Sequence, residues 1–291
     1  MPEEMDSFTS DNVYKNKNGH YVWDGTFNKS VTKVHRVSLC ITCMNRLSDL
    51  KFTLLKNLTD NLDYSDSEFI LLDYNSSDGL EDWVRSNMMG HVESGKLVFL
   101  RTDEPSHYSL AHSKNVAFLA ASGDIVHNLD TDNLTGPGFC SHLNLLANQV
   151  PSKAFFAKTA HYSIRLRGKV GFYKDEFIHL LGGYDEDFSA YSPDDRDIWW
   201  RAISIPLAVL WYPSDNFTKR LFSEAGYSHP DPFKNYSTDG EEASRANYYK
   251  MQRRMREKIA EGVLKANAGR KWGSAKLTKN FNEKLTVGMR V

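Results

Sequence analysis

Short apolar runs alternate with helical patterns through the first half of this 291-residue chain. Four runs, at residues 37–42, 68–73, 96–100 and 125–129, have the length and composition of buried strands. Each of the first three is followed by apolar residues that recur at intervals of three and four, the spacing of an amphipathic helix. Strand–helix units repeated in this way predict an α/β fold in which parallel strands are joined by right-handed crossovers.

The flanking segments are less regular. Asn18-Gly19 lies between two alternating runs and predicts a hairpin in an N-terminal arm over residues 1–35. Residues 36–240 are expected to form the main domain, with residues 241–291 as a basic C-terminal helix and tail packed on it. The elements predicted in the second half are a helix at 139–148, strands at 154–157, 170–173 and 207–212, and a long helix at about 241–263.

Composition excludes several classes of protein. The 36 basic and 37 acidic side chains give a net charge of −1, which provides no overall field for a polyanion or a membrane. No apolar run is long enough for a transmembrane segment, and no signal peptide is apparent, so we expect a cytoplasmic protein. Cys40 and Cys43 have CxxC spacing but lie in a predicted strand. With Cys140 as the third cysteine, they are interpreted as small buried residues and not as a zinc or redox site.

Carboxylates follow two of the predicted strands. Asp73 ends the second strand, and Asp130 and Asp132 follow the fourth. The carboxyl ends of parallel strands open onto one edge of a sheet, where ligands bind in open α/β folds. Carboxylate oxygens suit Mg²⁺ or Mn²⁺, and a metal held there could carry a diphosphate. Asp-x-Asp by itself is more typical of a polar turn, so the metal hypothesis depends on the rest of the chain.

Two further acids, Asp194 and Asp195, follow Ser192 and Pro193 at the start of a predicted helix. Ser at the N-cap, Pro at the first helical position and acids in the first turn all stabilise a helix start, so a purely structural role is one interpretation. A catalytic role is the other, because a helix N-terminus can present an acid to a ligand. His229, in a Pro-flanked loop, is either a surface histidine or a metal ligand.

Four segments share their order and spacing with one known family. Residues 37–46 form a strand that leads into Asn-Arg, and residues 73–79 read Asp-x-x-Ser-x-Asp-Gly. Residues 114–124 precede the Asp-x-Asp strand, and residues 182–201 contain Gly-Gly-Tyr-Asp-Glu and Pro-Asp-Asp-Arg-Asp. In this combination the chain resembles metal-dependent glycosyltransferases of the family-2 type, with a galactosyltransferase-like C-terminal segment. The resemblance covers about residues 37–249. It implies the GT-A fold, a Rossmann-like nucleotide-diphospho-sugar transferase fold with a mixed, mostly parallel central sheet.

The resemblance also implies roles for individual residues. Mn²⁺ or Mg²⁺ would be bound by Asp132 directly, with Asp130 nearer to the donor and His229 as a third ligand. Asp195 would be the general base toward the acceptor hydroxyl, and Asp194 would support it. Within the donor site, Asp73 would contact the nucleotide base. The donor-binding residues that the resemblance implies are Thr42, Arg46, Asp73, Asn75, Asp78, Lys114, Asp130 and Gly183.

We therefore expect transfer of a sugar from a nucleotide-diphosphate donor, UDP-linked, to a hydroxyl of a glycan or other acceptor, with inversion. An alternative acceptor is a modified base in DNA, because Lys and Arg crowd the C-terminal helix and tail, although a solvated helix face explains them too. A nucleotidyltransferase would want a Gly-rich loop after the first strand, where this chain has Cys43-Met44-Asn45-Arg46. A non-catalytic glycan- or nucleic-acid-binding relative would not need the set of acids.

Overall fold

The computed structural model describes residues 12–158, 169–188, 190–213, 215–221 and 240–290. The strands are β1 Val13–Lys15, β2 Tyr21–Trp23, β3 Val37–Cys43, β4 Ser67–Tyr74, β5 Leu97–Thr102, β6 Ile125–Asn128, β7 Asn133–Leu134, β8 Ala154–Lys158, β9 Val170–Tyr173, β10 Ala208–Tyr212, β11 Lys219–Arg220, β12 Lys271–Lys279 and β13 Glu283–Arg290. The helices are α1 Leu47–Asp60, α2 Leu80–Asn87, α3 Met89–Glu93, α4 Leu110–Ala120, α5 Phe139–Gln149, α6 Lys174–Glu176, α7 Asp194–Ser204 and α8 Gly240–Ala260, and a π-helical turn, Phe177–Leu181, continues α6. In the described part of the chain, no helix combines the length and the apolar composition needed to cross a bilayer.

A large mixed sheet organises the molecule. Its strand order is β1-β2-β10-β8-β9-β6-β3-β4-β5-β12-β13. The four strands β6, β3, β4 and β5 are parallel neighbours, whereas β9 runs antiparallel between β6 and β8. The prediction of a mixed, mostly parallel sheet is therefore confirmed, and its parallel centre consists of the four strands that the sequence pattern indicated.

The core lies on both faces of this sheet. Every residue of β3 is buried, as expected for a central strand covered on both sides. Leu39 and Ile41 face the layer that contains α1, α2 and α5, whereas Cys40 faces the layer that contains α4 and α7. Cys43 and Cys140 are buried and unpaired, so all three cysteines act as small core residues. Burial raises the pKa of these thiols, which makes them poor nucleophiles.

The predicted N-terminal hairpin is present. β1 pairs antiparallel with β2, and β2 joins the sheet where Val22 lies opposite Val209 of β10. The segment that follows is bound to α5 by an amide side chain. The backbone N–H groups of Asn28 and Lys29 donate to Gln149 Oε1 at 3.1 and 3.0 Å. The arm is thus held by main-chain pairing at one end and by side-chain hydrogen bonds at the other.

The C-terminal segment differs from the expected helix and tail. The last helix, α8, ends at Ala260, and β12 and β13 form a hairpin that continues the sheet beyond β5. A bulge between Trp272 and Ala275 shifts the alternation of buried residues within β12. This shift conceals the period of two by which a strand is recognised in a sequence, and the exposed lysines of β12 reinforce the impression of a basic tail.

Candidate active site

The parallel strands bring the predicted residues to one edge of the sheet. Cys43, next to Thr42, is in register with Asp73 of β4. On the other side of β3, Cys40 is in register with Asn128, the last residue of β6, and Asp130 follows two residues later. The convergence predicted from the strand ends is therefore present, because all three strands run in the same direction.

Asp73 is fully buried at this edge and is bonded on both carboxylate oxygens. The backbone N–H of Ser76 donates to Oδ1 at 2.8 Å, and the guanidinium of Arg101 forms an ion pair with Oδ2. Burial raises the pKa of Asp73, although Ser76 and Arg101 act in the opposite direction. Arg101 is the penultimate residue of β5, in register with Asp73, and was not identified from the sequence.

Asp78 and Asn75, which the sequence predicts to contact the sugar donor, form hydrogen bonds within the loops at this edge of the sheet. Asp78 Oδ2 accepts a hydrogen bond of 2.8 Å from the backbone N–H of Leu47, in the first turn of α1. Because α1 has no side-chain cap of its own, Asp78 satisfies one of its free N–H groups from a neighbouring loop. Asn75 has a φ of 61° and donates through Nδ2 to the carbonyl oxygen of Pro105 at 2.8 Å. Contact of either residue with a donor stays a prediction.

Thr42 and Arg46 lie between the strand ends. The Thr42 hydroxyl is 2.5 Å from the hydroxyl of Tyr108, a residue that the sequence did not single out. Arg46 forms an ion pair with the buried Asp49, and its Nη2 lies 3.8 Å from Asp132 Oδ2. Arg46 therefore connects the loop after β3 with the Asp-x-Asp turn.

The two carboxylates of the Asp-x-Asp turn have different surroundings. The side chain of Asp130 is 43% exposed and forms an ion pair with Lys169. The side chain of Asp132 is 9% exposed, and its Oδ2 is 2.8 Å from Arg220 Nε. Burial acts to raise the pKa of Asp130, but the charges of Lys169 and Lys114 outweigh it and hold that pKa below its usual range. Both carboxylates thus lie beside cations.

The Asp-x-Asp turn offers two carboxylates that could bind a metal ion whose other ligands come from water and the substrate. Among the described residues, no three His, Cys, Asp or Glu side chains converge as a metal cluster would require. Mg²⁺, however, is commonly bound by one or two carboxylates, with water and substrate phosphates completing its shell. Asp130 and Asp132 fit that arrangement. The predicted third ligand, His229, lies outside the described residues.

A buried lysine joins the acidic pair at the start of α7. Lys114 Nζ is 2.7 Å from Asp194 Oδ2 and 2.5 Å from Asp195 Oδ1. Burial would lower the pKa of Lys114, but the charges of Asp194 and Asp195 raise it well above its usual value. Asp194 is buried, whereas the side chain of Asp195 is 36% exposed. Asp195 is therefore the carboxylate of the pair that a ligand can reach.

The helix start itself differs from the sequence interpretation. Pro193, not Ser192, occupies the N-cap position, and α7 begins at Asp194 without a side-chain cap. The Ser192 hydroxyl donates instead to the carbonyl oxygen of Phe188 at 3.4 Å. Because Ser192 is used for the preceding turn, the acids of the first helical turn rely on Lys114 and on the helix dipole for stabilisation.

Gly183 lies in a turn that is held from two sides. Its φ is +75°, and a Cβ there would lie 2.5 Å from Trp272 Cζ3 and 2.7 Å from Asn115 Oδ1. Arg201 of α7 donates to the carbonyl oxygen of Gly183 at 3.0 Å. These contacts give Gly183 a structural reason to be glycine, and its predicted role in donor binding stays a prediction.

Several site residues were missed because their sequence neighbourhoods carry no motif. Three are basic residues and one is a tyrosine, and the side chain of each contacts a predicted site residue at the edge of the sheet. They are Arg101 opposite Asp73, Lys169 opposite Asp130, Arg220 opposite Asp132, and Tyr108 opposite Thr42. Arg101 could have been found, because it directly follows the strand predicted at residues 96–100 and so had to reach the same edge.

The parallel sheet centre belongs to the GT-A fold, which solved glycosyltransferase structures share. The chain is similar to the mannosyltransferase PcManGT from Pyrobaculum calidifontis, solved with GDP-Man and Mn²⁺. The TM-score is 0.53 at 18% identity, over 81% of this chain and 77% of that one. It is also similar to S. aureus TarS 1–349 with UDP-GlcNAc, with a TM-score of 0.53 at 12% identity over 80% and 67% of the two chains. For the longer S. aureus TarS structure the TM-score is 0.56 at 11% identity, and the match spans 77% of this chain but only 39% of that one.

A family model matches part of the sequence. Residues 38–170 match the model of glycosyl transferase family 2, a segment that runs from β3 to β9 and includes Asp73 and the Asp-x-Asp turn. The expected resemblance to family-2 GT-A glycosyltransferases, and with it the prediction of an enzyme, is confirmed by this match and by the fold. The galactosyltransferase-like character of residues 182–201 stays a prediction. A comparison with curated protein sequences found no match.

Proposed function

We propose that this protein is a metal-dependent, inverting glycosyltransferase that moves a sugar from a UDP-linked donor to an acceptor hydroxyl. The observation that carries the proposal is the position of Lys114. Its ammonium contacts Asp194 and Asp195, and its charge also acts on Asp130. Asp130, a candidate donor-binding residue, and Asp195, the candidate catalytic base, are therefore both influenced by the charge of Lys114. Transfer between two substrates requires their binding sites to be close together.

The donor half of the proposal rests on the edge of the sheet. GDP-Man and UDP-GlcNAc are present in the similar structures, which supports a nucleotide sugar as donor here. Asp130 and Asp132 would hold Mn²⁺ or Mg²⁺ together with the donor diphosphate. When bound, that ion would neutralise the negative charge that develops on the diphosphate as it leaves. Asp73, anchored by Ser76 and Arg101, would face the nucleotide base.

The acceptor half rests on Asp195. The acceptor hydroxyl oxygen forms a bond to the anomeric carbon, the bond from that carbon to the diphosphate breaks, and the hydroxyl proton passes to the Asp195 carboxylate. Asp194 and Lys114 position this carboxylate, because they are buried and bonded to each other at 2.7 Å. Direct attack by the acceptor, assisted by Asp195 on the face opposite the leaving group, would invert the anomeric carbon.

A panel of nucleotide sugars tests the proposal. The melting temperature is measured with UDP- and GDP-linked sugars and with the free nucleotides, each with and without Mn²⁺. We expect stabilisation by a UDP-sugar that increases when Mn²⁺ is added, and slow release of UDP when no acceptor is present. The proposal fails if none of these donors stabilises the protein. Equal stabilisation with and without Mn²⁺ would contradict the metal dependence in the proposal.

A further inference from the structure

Three tyrosines form a continuous aromatic surface beside α7. The rings of Tyr191 and Tyr248 stack with centroids 5.2 Å apart and an interplanar angle of 30°. Tyr249 meets Tyr248 edge-on at 6.0 Å and is 67% exposed. Its exposed ring is large and apolar, which makes it a candidate for contact with a ligand. We refer to Tyr191, Tyr248 and Tyr249 together as the tyrosine ledge.

The ledge is held in place by the rest of α8. Asn247 Nδ2 donates to the carbonyl oxygen of Tyr191 at 3.1 Å. One turn further along, Met251 and Met255 pack against the fully buried Phe188. Lys258 Nζ is then 2.5 Å from Asp187 Oδ2. These anchors fix the register of α8, so the tyrosines present a preorganised surface and not a loose helix face.

The ledge adjoins the proposed catalytic base. Tyr191 precedes Asp195 by four residues, in the turn from which α7 starts. Burial, the neighbouring Tyr248 and the charges of Asp194 and Asp195 raise the pKa of Tyr191. Tyr191, on which Tyr248 stacks, therefore belongs to the segment that leads directly into the acidic pair at the start of α7. The donor residues, by contrast, are at the ends of β3, β4 and β6.

We infer that the tyrosine ledge binds the acceptor, and that the acceptor is a saccharide whose pyranose ring packs on Tyr249 and Tyr248. This inference rests on the proposed function. The C–H groups on one face of a pyranose ring match the electron-rich face of a tyrosine, so this contact depends on the aromatic ring and not on its hydroxyl. A saccharide on the ledge extends toward Asp195, where one of its hydroxyls would lose its proton.

The charges of α8 favour a saccharide over a nucleic acid. Nucleotide bases also stack on tyrosines, but nucleic-acid binding depends on unneutralised basic side chains. Arg245 Nε lies 2.7 Å from Glu241 Oε1, and Arg253 Nε lies 3.2 Å from Glu257 Oε1. Lys258 contacts both Asp185 and Asp187. Much of the positive charge that suggested a DNA acceptor is thus offset within the chain.

Ligand-observed NMR tests the ledge directly. Saturation transfer from the protein is measured to methyl β-glucoside, methyl α-mannoside, methyl β-N-acetylglucosaminide and their linear hexasaccharides. UDP and Mg²⁺ are present to fill the donor site. Four proteins are compared: wild type, Tyr249→Ala, Tyr249→Phe and Tyr14→Ala. Tyr14 is the matched control, since it is 52% exposed and lies on β1, an edge strand of the sheet, and not on α7 or α8.

We expect at least one saccharide to bind the wild type, with affinity about three- to tenfold weaker for Tyr249→Ala and nearly unchanged for Tyr249→Phe and Tyr14→Ala. The inference is overturned if no saccharide binds, or if Tyr249→Ala binds as the wild type does. It is also overturned if a single-stranded oligonucleotide, and no saccharide, binds in a Tyr249-dependent manner. Thermal shifts with UDP and Mg²⁺ report the donor site separately, so their absence would count against the proposed function and not against the ledge.

Discussion

Lys114 Nζ lies 2.7 Å from Asp194 Oδ2, in a pair whose two side chains are almost completely buried. The same ammonium also contacts Asp195, so one cation on α4 serves the two adjacent acids Asp194 and Asp195 at the start of α7. Two adjacent carboxylates would repel each other if both were ionised without a counter-ion. Lys114 thus stabilises the start of α7 and also holds Asp195, the proposed catalytic base.

Removal of this cation should be costly. Lys114→Met leaves a buried carboxylate without its partner, and we expect the free energy of unfolding at pH 7 to fall by about 3–5 kcal/mol. Urea denaturation measures the loss. Lys56→Met is the matched control, because Lys56 forms an exposed pair with Asp60 at 2.6 Å. Such surface pairs contribute about 0–1 kcal/mol. A similar loss in both variants would show that Lys114 is not the counter-ion described above.

The exposure of Asp195 predicts which acid is the base. Asp195→Asn should lower kcat by about 10²- to 10⁴-fold, because the amide cannot take the acceptor proton. Donor affinity should stay near that of the wild type, since Asp195 is not at the ends of the parallel strands. Steady-state kinetics and nucleotide titration separate the two effects. If Asp194→Asn stops turnover and Asp195→Asn does not, the roles of the two acids are reversed.

Asp132 is expected to be indispensable for metal binding. Asp132→Ala should abolish transfer and the additional thermal stabilisation by Mn²⁺, while the circular dichroism spectrum stays that of the folded protein. The matched control is Asp66→Ala. Asp66 is also paired with an arginine, Arg36 at 3.2 Å, but it precedes β4 and so lies at the opposite edge of the sheet. Normal transfer by Asp132→Ala without added metal would contradict the proposed metal dependence.

The burial of His127 should make the stability of the protein depend on pH. It is fully buried on β6, and burial lowers its pKa from 6.5 to about 3. The ring is therefore neutral in the fold, whereas in the unfolded chain it takes up a proton near pH 6.5. Its contribution to stability is complete above pH 6.5 and decreases as the pH falls from 6.5 toward 3. Relative to His127→Asn, the wild type should lose about 1.4 kcal/mol of unfolding free energy per pH unit below 6.5. Urea denaturation of both proteins at about pH 7.5 and pH 5 measures this change, and a constant difference would contradict it.

Gly183 should tolerate no side chain. In Gly183→Ala the new methyl group meets Trp272 and Asn115, and the residue must also keep a left-handed backbone. We expect a loss of about 2–5 kcal/mol in unfolding free energy. Gly262→Ala separates the two causes, because Gly262 has φ +73° with no atom near the added Cβ. Its loss should be limited to about 1–2 kcal/mol, the cost of the backbone conformation alone. Equal losses would mean that the contacts with Trp272 and Asn115 do not matter.

The central strands and the acids at their ends could be predicted because both signals are local. A buried run such as residues 125–128 is recognisable within a few positions, and the parallel connections then bring Asp73 and Asp130 to the same edge. The positions of the opposing cations are not local. Lys169 and Arg220 reach the Asp-x-Asp turn only because β9 pairs with β6 and β11 pairs with β7. Such pairings depend on the order of the strands, which hydrophobic periodicity does not specify.

The C-terminal hairpin has a consequence for how the protein folds. The backbone N–H of Phe99, in β5, donates to Asn280 Oδ1 at 3.0 Å across a sequence separation of 181 residues. Long loops close slowly, so a strand that waits for such a distant neighbour remains an exposed edge during folding. The same strand carries Arg101, which forms an ion pair with Asp73 and so positions it for its proposed contact with the nucleotide. The part of the sheet edge formed by Asp73 and Arg101 should therefore be among the last parts of the molecule to become ordered. Until β12 pairs with β5, the partly folded chain should be prone to pair with strands of other molecules.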